Sequence, residues 1–101
     1  MEITADQLKQ KIQDGESMVV DFMGTWCGPC KVLKPIYESV SHEMTEVNFY
    51  TFDIDSDIDF VKTLGIRGVP TIKAYKSGDE VFSKSGVLQR EELLNVGKMV
   101  M

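Results

Sequence analysis

Apolar positions along the chain follow two periods, and their alternation sets the elements. Met18 to Met23 (M-V-V-D-F-M) and Val47 to Asp53 (V-N-F-Y-T-F-D) are runs of strand length. In the second, Val47, Phe49, Thr51 and Asp53 share one face and Asn48, Tyr50 and Phe52 the other. Between these runs, Val32, Leu33, Ile36, Val40 and Met44 recur at helical spacing and predict a helix from about Cys30 to Met44. A kink is expected near Lys31 to Pro35, because an interior proline removes one hydrogen bond and meets the carbonyl four residues back. Thr4 with Gln7 reads as a capping box for a helix from Ala5 to about Gln13, which leaves Met1 to Thr4 a short strand at most. Ser56 with Asp59 predicts the cap of a helix over Asp57 to Leu64. Thr71 to Tyr75 and Glu80 to Lys84, joined by Lys76-Ser77-Gly78-Asp79, predict a hairpin. Leu93, Val96 and Val100 mark one face of a closing helix from about Arg90 to Val100. The order βαβαβαββα predicts an α/β fold, a central mixed sheet flanked by helices, in one domain over residues 1–101.

Composition narrows the function classes. A hydrophobic share of 43 % describes an ordinary globular chain with enough apolar surface to fold without staples. The net charge of −5, with no cluster of Lys and Arg, argues against nucleic-acid or anionic-membrane partners. Met1 to Asp6 has no basic region followed by an apolar core, so no signal peptide is expected, and no run reaches membrane-spanning length. A reducing compartment, the cytoplasm, is the expected location.

Chemistry concentrates in Trp26-Cys27-Gly28-Pro29-Cys30, which holds both cysteines. Residues three apart on a helix bring their Cβ atoms within roughly 5 to 6 Å, and a disulfide tolerates Cα separations of roughly 4.4 to 6.8 Å. The motif lies where a strand gives way to a helix, and Pro29 suits a first helical turn. Cys27, at the helix mouth, meets the positive end of the helix dipole and unpaired N–H groups, which favour thiolate. It is the expected nucleophile, and Cys30, one turn in, the expected resolving thiol. A purely structural disulfide across so short a loop contributes only about 2 kcal/mol. Zinc needs four Cys or His ligands, and the chain has two Cys and one His. His42 lies off the apolar stripe near a helix end, where a cation suits the dipole. Asp53, Asp55, Asp57 and Asp59 alternate, but Ile58 and Leu64 stand where a calcium loop needs Gly and Glu, so no metal site is expected. Asp21, a charge inside an apolar strand, is either a solvent-facing strand end or a buried carboxylate with a raised pKa, placed to exchange a proton with Cys30.

Trp-Cys-Gly-Pro-Cys-Lys after an apolar strand, Pro35, Gly65-Ile66-Arg67-Gly68-Val69-Pro70-Thr71 and Gly86 together resemble the thioredoxin family over nearly the whole chain. The resemblance implies the thioredoxin-like fold and reduction of disulfides in protein substrates by a reversible Cys27/Cys30 pair. It supports the proton-exchanging role for Asp21. It also implies a cis-Pro at Pro70 and a flat apolar substrate surface of Trp26, Gly28, Pro29, Val69, Pro70, Gly86 and Val87. No bound cofactor or metal is implied, since the cysteine pair carries the electrons. A separate thioredoxin reductase, NADPH/flavin or ferredoxin dependent, is the implied partner, and a monomer is expected. Gly28-Pro29 between the cysteines, with no His there, resembles the reducing members rather than the isomerases and oxidants. A redox-independent binding subunit of a larger assembly is the reading from another class. Two positions depart from familiar members: Met23 stands where some carry a second Trp, and Thr51 where a buried Lys partners the Asp.

Overall fold

The computed structural model describes residues 1–101. Strands β1 (Met18–Met23), β2 (Asn48–Asp53), β3 (Thr71–Lys76) and β4 (Asp79–Ser85) form one sheet in the order β2-β1-β3-β4. The β1/β2 pair is parallel and the β1/β3 and β3/β4 pairs are antiparallel, so the sheet is mixed as the pattern predicts. The helices are α1 (Ala5–Gln13), α2 (Gly28–Glu43), α3 (Ile58–Thr63) and α4 (Arg90–Met99), with a short 3-10 turn over Ile54–Ser56. No helix is long and apolar enough to cross a membrane.

Alternation along β1 divides the core into two layers. Met18, Val20 and Phe22 join Phe52 and Tyr75 beneath Leu8 of α1 and Val61 of α3. Val19 joins Phe49, Ile72 and Ala74 beneath Leu33, Tyr37 and Val40 of α2 and Leu93 and Val96 of α4. Each fully buried Leu or Phe contributes about 1.5 to 3 kcal/mol. The same alternation turns Asp21 toward the α2 side.

Local chemistry explains where the elements start. Thr4 Oγ1 accepts from the Gln7 N–H at 3.1 Å while the Gln7 side-chain oxygen accepts from the Thr4 N–H at 2.9 Å. With Thr4 committed to that cap, the expected first strand shrinks to a single bridge between Glu2 and Thr51. The Ile3 N–H reaches the Thr51 carbonyl, and the Thr51 N–H the Met1 carbonyl, each at 2.9 Å. The hairpin closes through Ser77 and Gly78, whose φ of 52° and 86° are the two left-handed conformations of a tight two-residue turn.

Three expectations need correction. Helix α2 begins at Gly28, two residues before the expected start at Cys30, with Pro35 inside it. Its buried stripe is Leu33, Tyr37 and Val40, continued by Met44, while Val32 is 59 % exposed, because neighbouring residues point about 100° apart and Val32 and Leu33 cannot both face the core. Helix α3 is capped by Asp57, whose Oδ1 accepts from the Phe60 N–H at 3.0 Å, and not by Ser56. Ser56 lies in the preceding 3-10 turn and donates its hydroxyl to the Asp53 carbonyl at 2.7 Å.

Candidate active site

Sheet register gathers the singled-out residues at one edge. Phe22 pairs with Thr71, so β1 departs toward the cysteines where the chain enters β3 from Val69-Pro70. The Val69-Pro70 peptide is cis. Across the hairpin Thr71 pairs with Ser85, and the Gly86 N–H donates to the Pro70 carbonyl at 2.9 Å.

Cys27 is the N-cap of α2, with extended backbone, and its Sγ accepts from the Cys30 N–H at 3.1 Å. A side chain at that position satisfies one of the N–H groups that every helix start leaves unpaired. The two cysteines are joined as a disulfide across a Cα separation of 5.3 Å. Both are buried, at 4 % and 5 % exposure, whereas Gly28 and Pro29 between them are exposed. After reduction, the same N–H and the helix dipole face the Cys27 sulfur, an arrangement that stabilises thiolate.

Asp21 is the buried carboxylate of the two alternatives, with 3 % exposure. It lines a cavity of about 500 Å³ that Cys30 also lines, and its Oδ1 has no hydrogen-bond partner. Desolvation pushes its pKa from an ordinary 3.8 up to about 7. Thr51 lies directly opposite on β2 and brings no charge. The Tyr37 hydroxyl, between the Val19 carbonyl at 3.1 Å and the Tyr50 carbonyl at 2.6 Å, is buried beside it. Burial and the Asp21 charge hold that phenol well above its ordinary range.

Trp26 is 64 % exposed, and its indole N–H donates to Asp55 Oδ2 at 2.8 Å. A Cβ on Gly24 would lie 2.8 Å from the indole ring, so glycine there lets the ring lie flat on the backbone. Of the other surface residues, Val69 and Gly86 are half-buried, Pro70 is buried, and Val87 packs against the α2/α4 core. Gly86 has open space where a Cβ would sit, and its φ of 100° is what calls for glycine there.

Sequence patterns missed Tyr37, Asp55 and Gly24. Tyr37 had a signal, four residues beyond Leu33 on the buried stripe. Asp55 had none, since it meets Trp26 across 29 positions of chain.

A disulfide at the mouth of a helix, on a mixed sheet with a buried carboxylate beneath, defines an α/β protein built for thiol–disulfide exchange. The family model for thioredoxin matches residues 1–98. The thioredoxin of Rickettsia felis is 34 % identical over 95 residues, 92 % of this chain and 90 % of the relative. Thioredoxin-1 of Saccharomyces cerevisiae is 36 % identical over 78 residues, 77 % of this chain and 76 % of that one. Among solved structures, Malassezia sympodialis thioredoxin superposes with a TM-score of 0.83 at 31 % identity, covering 98 % of this chain and 88 % of that one. Oxidised thioredoxin from Plasmodium falciparum gives 0.84 at 29 % identity, with 99 % and 97 % covered. The chain belongs to the thioredoxin family. It is a thiol–disulfide oxidoreductase of the disulfide-reductase kind, with Cys27 and Cys30 as its redox-capable pair.

Proposed function

We propose that the chain carries two electrons from a reductase to disulfides in protein substrates, with Cys27 as nucleophile and Cys30 as resolving thiol. The observation that carries this order is Cys27 at the N-cap of α2, its sulfur accepting the Cys30 N–H. Cys27 thiolate attacks one sulfur of the substrate disulfide, forming a mixed disulfide and releasing the other sulfur as a thiolate, which takes a proton from water. Cys30 then loses its proton to the Asp21 carboxylate and attacks Cys27 Sγ. The second substrate sulfur leaves and is protonated, and the Cys27–Cys30 disulfide remains. The substrate has gained two electrons and two protons.

Asp21 suits the proton step because a base with a pKa of about 7 both accepts and returns a proton near neutral pH. Trp26, Gly28 and Pro29 form the exposed part of the surface that meets substrate, with Val69, Pro70, Gly86 and Val87 behind it. The free backbone of Val69 pairs with an extended substrate segment, as in strand addition. A separate reductase, flavin/NADPH or ferredoxin dependent, returns the pair to the dithiol. The same reading makes the protein a cytoplasmic monomer that keeps other proteins' thiols reduced.

Cys30→Ser tests the order of attack. Mixed with an oxidised substrate, it should accumulate a covalent adduct through Cys27 that dithiothreitol releases, whereas Cys27→Ser should form none. An adduct on Cys30 of the Cys27→Ser protein in comparable yield reverses the assignment. A potential below the glutathione pool supports a reductase, and one well above it marks an oxidant or isomerase.

A further inference from the structure

Helix α2 is held on the sheet by apolar packing and by one hydroxyl. Leu33 and Val40 bury their side chains against the sheet, contacts that fix no direction. Tyr37, 3 % exposed, is the one side chain of α2 that hydrogen-bonds to the sheet, reaching the Tyr50 carbonyl of β2 at 2.6 Å and the Val19 carbonyl of β1 at 3.1 Å. A hydroxyl has one proton to share between them. The shorter bond goes to the peptide that joins Tyr50 to Thr51, the residue paired with Asp21. The Tyr37 ring stands edge-on to Phe49, centroids 5.5 Å apart. Seven residues make nearly two turns, so Tyr37 shares the buried face of α2 with Cys30. Tyr37, Cys30 and Asp21 line the same cavity. Asp21 Oδ1 has no partner of its own, so where the carboxyl lies relative to Cys30 follows from how α2 sits on β1 and β2.

We propose that Tyr37 is a positioning residue for the thiol exchange: by bolting α2 to β1 and β2, its hydroxyl fixes the separation of Cys30 and Asp21 across which the proton moves. This inference rests on the reading of Asp21 as the base for Cys30. Tyr37 keeps its own proton throughout, because burial and the Asp21 charge hold the phenol well above its ordinary range. Its part is therefore geometric. A misplacement of about 1 Å between reacting groups slows a step by about a hundredfold. The charged groups that line the cavity with Asp21 are Met1, Glu2, Lys31, Lys34 and Glu38, and Tyr37→Phe alters none of them.

The test mixes reduced protein with dithiobis(nitrobenzoate) and follows stopped-flow absorbance. Attack by Cys27 on the reagent disulfide releases one thionitrobenzoate and leaves the other on Cys27 Sγ. Attack by Cys30 then releases the second and leaves the Cys27–Cys30 disulfide. The first phase depends on reagent concentration, and the second does not. Tyr37→Phe keeps the ring against Phe49 and deletes only the hydroxyl. It should leave the first phase at the parental rate and slow the second by about ten- to a hundredfold. Its Asp21 carboxyl carbon signal should titrate below about 7, because a loosened α2 admits water to the carboxyl. Val40→Ala loosens the same helix away from the cavity and should keep both parental rates. A parental second phase in Tyr37→Phe, an unmoved Asp21 titration, or equal slowing by Val40→Ala overturns the proposal. Asp21→Asn distinguishes the two ways to fail. A parental second phase there removes Asp21 as the base and the role of Tyr37 with it, whereas a slow Asp21→Asn beside a parental Tyr37→Phe removes Tyr37 alone.

Discussion

Asp21 carries a cost that its position in β1 makes legible in pH. Its pKa is 3.8 when exposed and about 7 when folded, so between those values the folded protein holds a proton that the unfolded chain has released. A raised carboxylate therefore favours folding at low pH, and that advantage is lost as pH climbs from about 4 through about 7. The difference corresponds to at most about 4 kcal/mol. Asp21→Asn removes the charge at every pH. It should be more stable than the parent above about pH 8 by up to that amount, and close to it near pH 4. Urea midpoints at the two pH values check this, and a gap that does not change with pH means that folding leaves the Asp21 pKa at its ordinary value. On the proposed mechanism, the same substitution slows resolution of the mixed disulfide, so stability and turnover move in opposite directions. The Cys27/Cys30 pair was legible in the sequence because its chemistry is fixed by spacing and by one proline. The Trp26–Asp55 contact was not, because tertiary folding alone brings those residues together.

At the scale of elements, the hairpin turn shows how one backbone conformation constrains side chains. Gly78 has a φ of 86°, and a Cβ there would lie 2.9 Å from the Ile12 carbonyl oxygen and 3.1 Å from Gly15 Cα, both rigid backbone. Gly78→Ala therefore combines left-handed strain of about 1 to 2 kcal/mol with a clash against the end of α1. It should lower the urea midpoint by more than strain alone explains. Ser77, at φ 52°, holds a left-handed conformation that Asn adopts more readily. Ser77→Asn should add about a few tenths of a kcal/mol of stability, read as a higher midpoint at unchanged slope, since the 3.0 Å bond to Ser17 Oγ uses only the backbone N–H of Ser77. Opposite shifts from adjacent residues separate conformation from contact. Capping at Thr4 was legible because its partners lie within one turn. The α3 cap moved from Ser56 to Asp57 because a 3-10 turn, which apolar periodicity does not register, intervenes.

Whole-molecule behaviour turns on how the two core layers share one sheet. Leu8 belongs to the α1/α3 layer, whereas the cysteine-bearing helix α2 covers the opposite layer. The layers nevertheless meet in β1, whose alternate residues enter both, and the Tyr37 hydroxyl ties α2 to carbonyls of β1 and β2. A cavity opened on one side should therefore be felt on the other. Leu8 is fully buried, so Leu8→Ala should cost about 2 to 5 kcal/mol. Trp26, the only tryptophan, reports from the active-site edge, and far-ultraviolet circular dichroism reports from all helices. If the sheet couples the layers, both probes of Leu8→Ala shift together to one lower urea midpoint, with parent and variant sharing the same slope. If α1 and α3 can detach alone, dichroism falls first while Trp26 fluorescence holds its parental midpoint. The shared strand predicts the first outcome, because β1 has no residue that loses one face of its packing without exposing the backbone that supports the other.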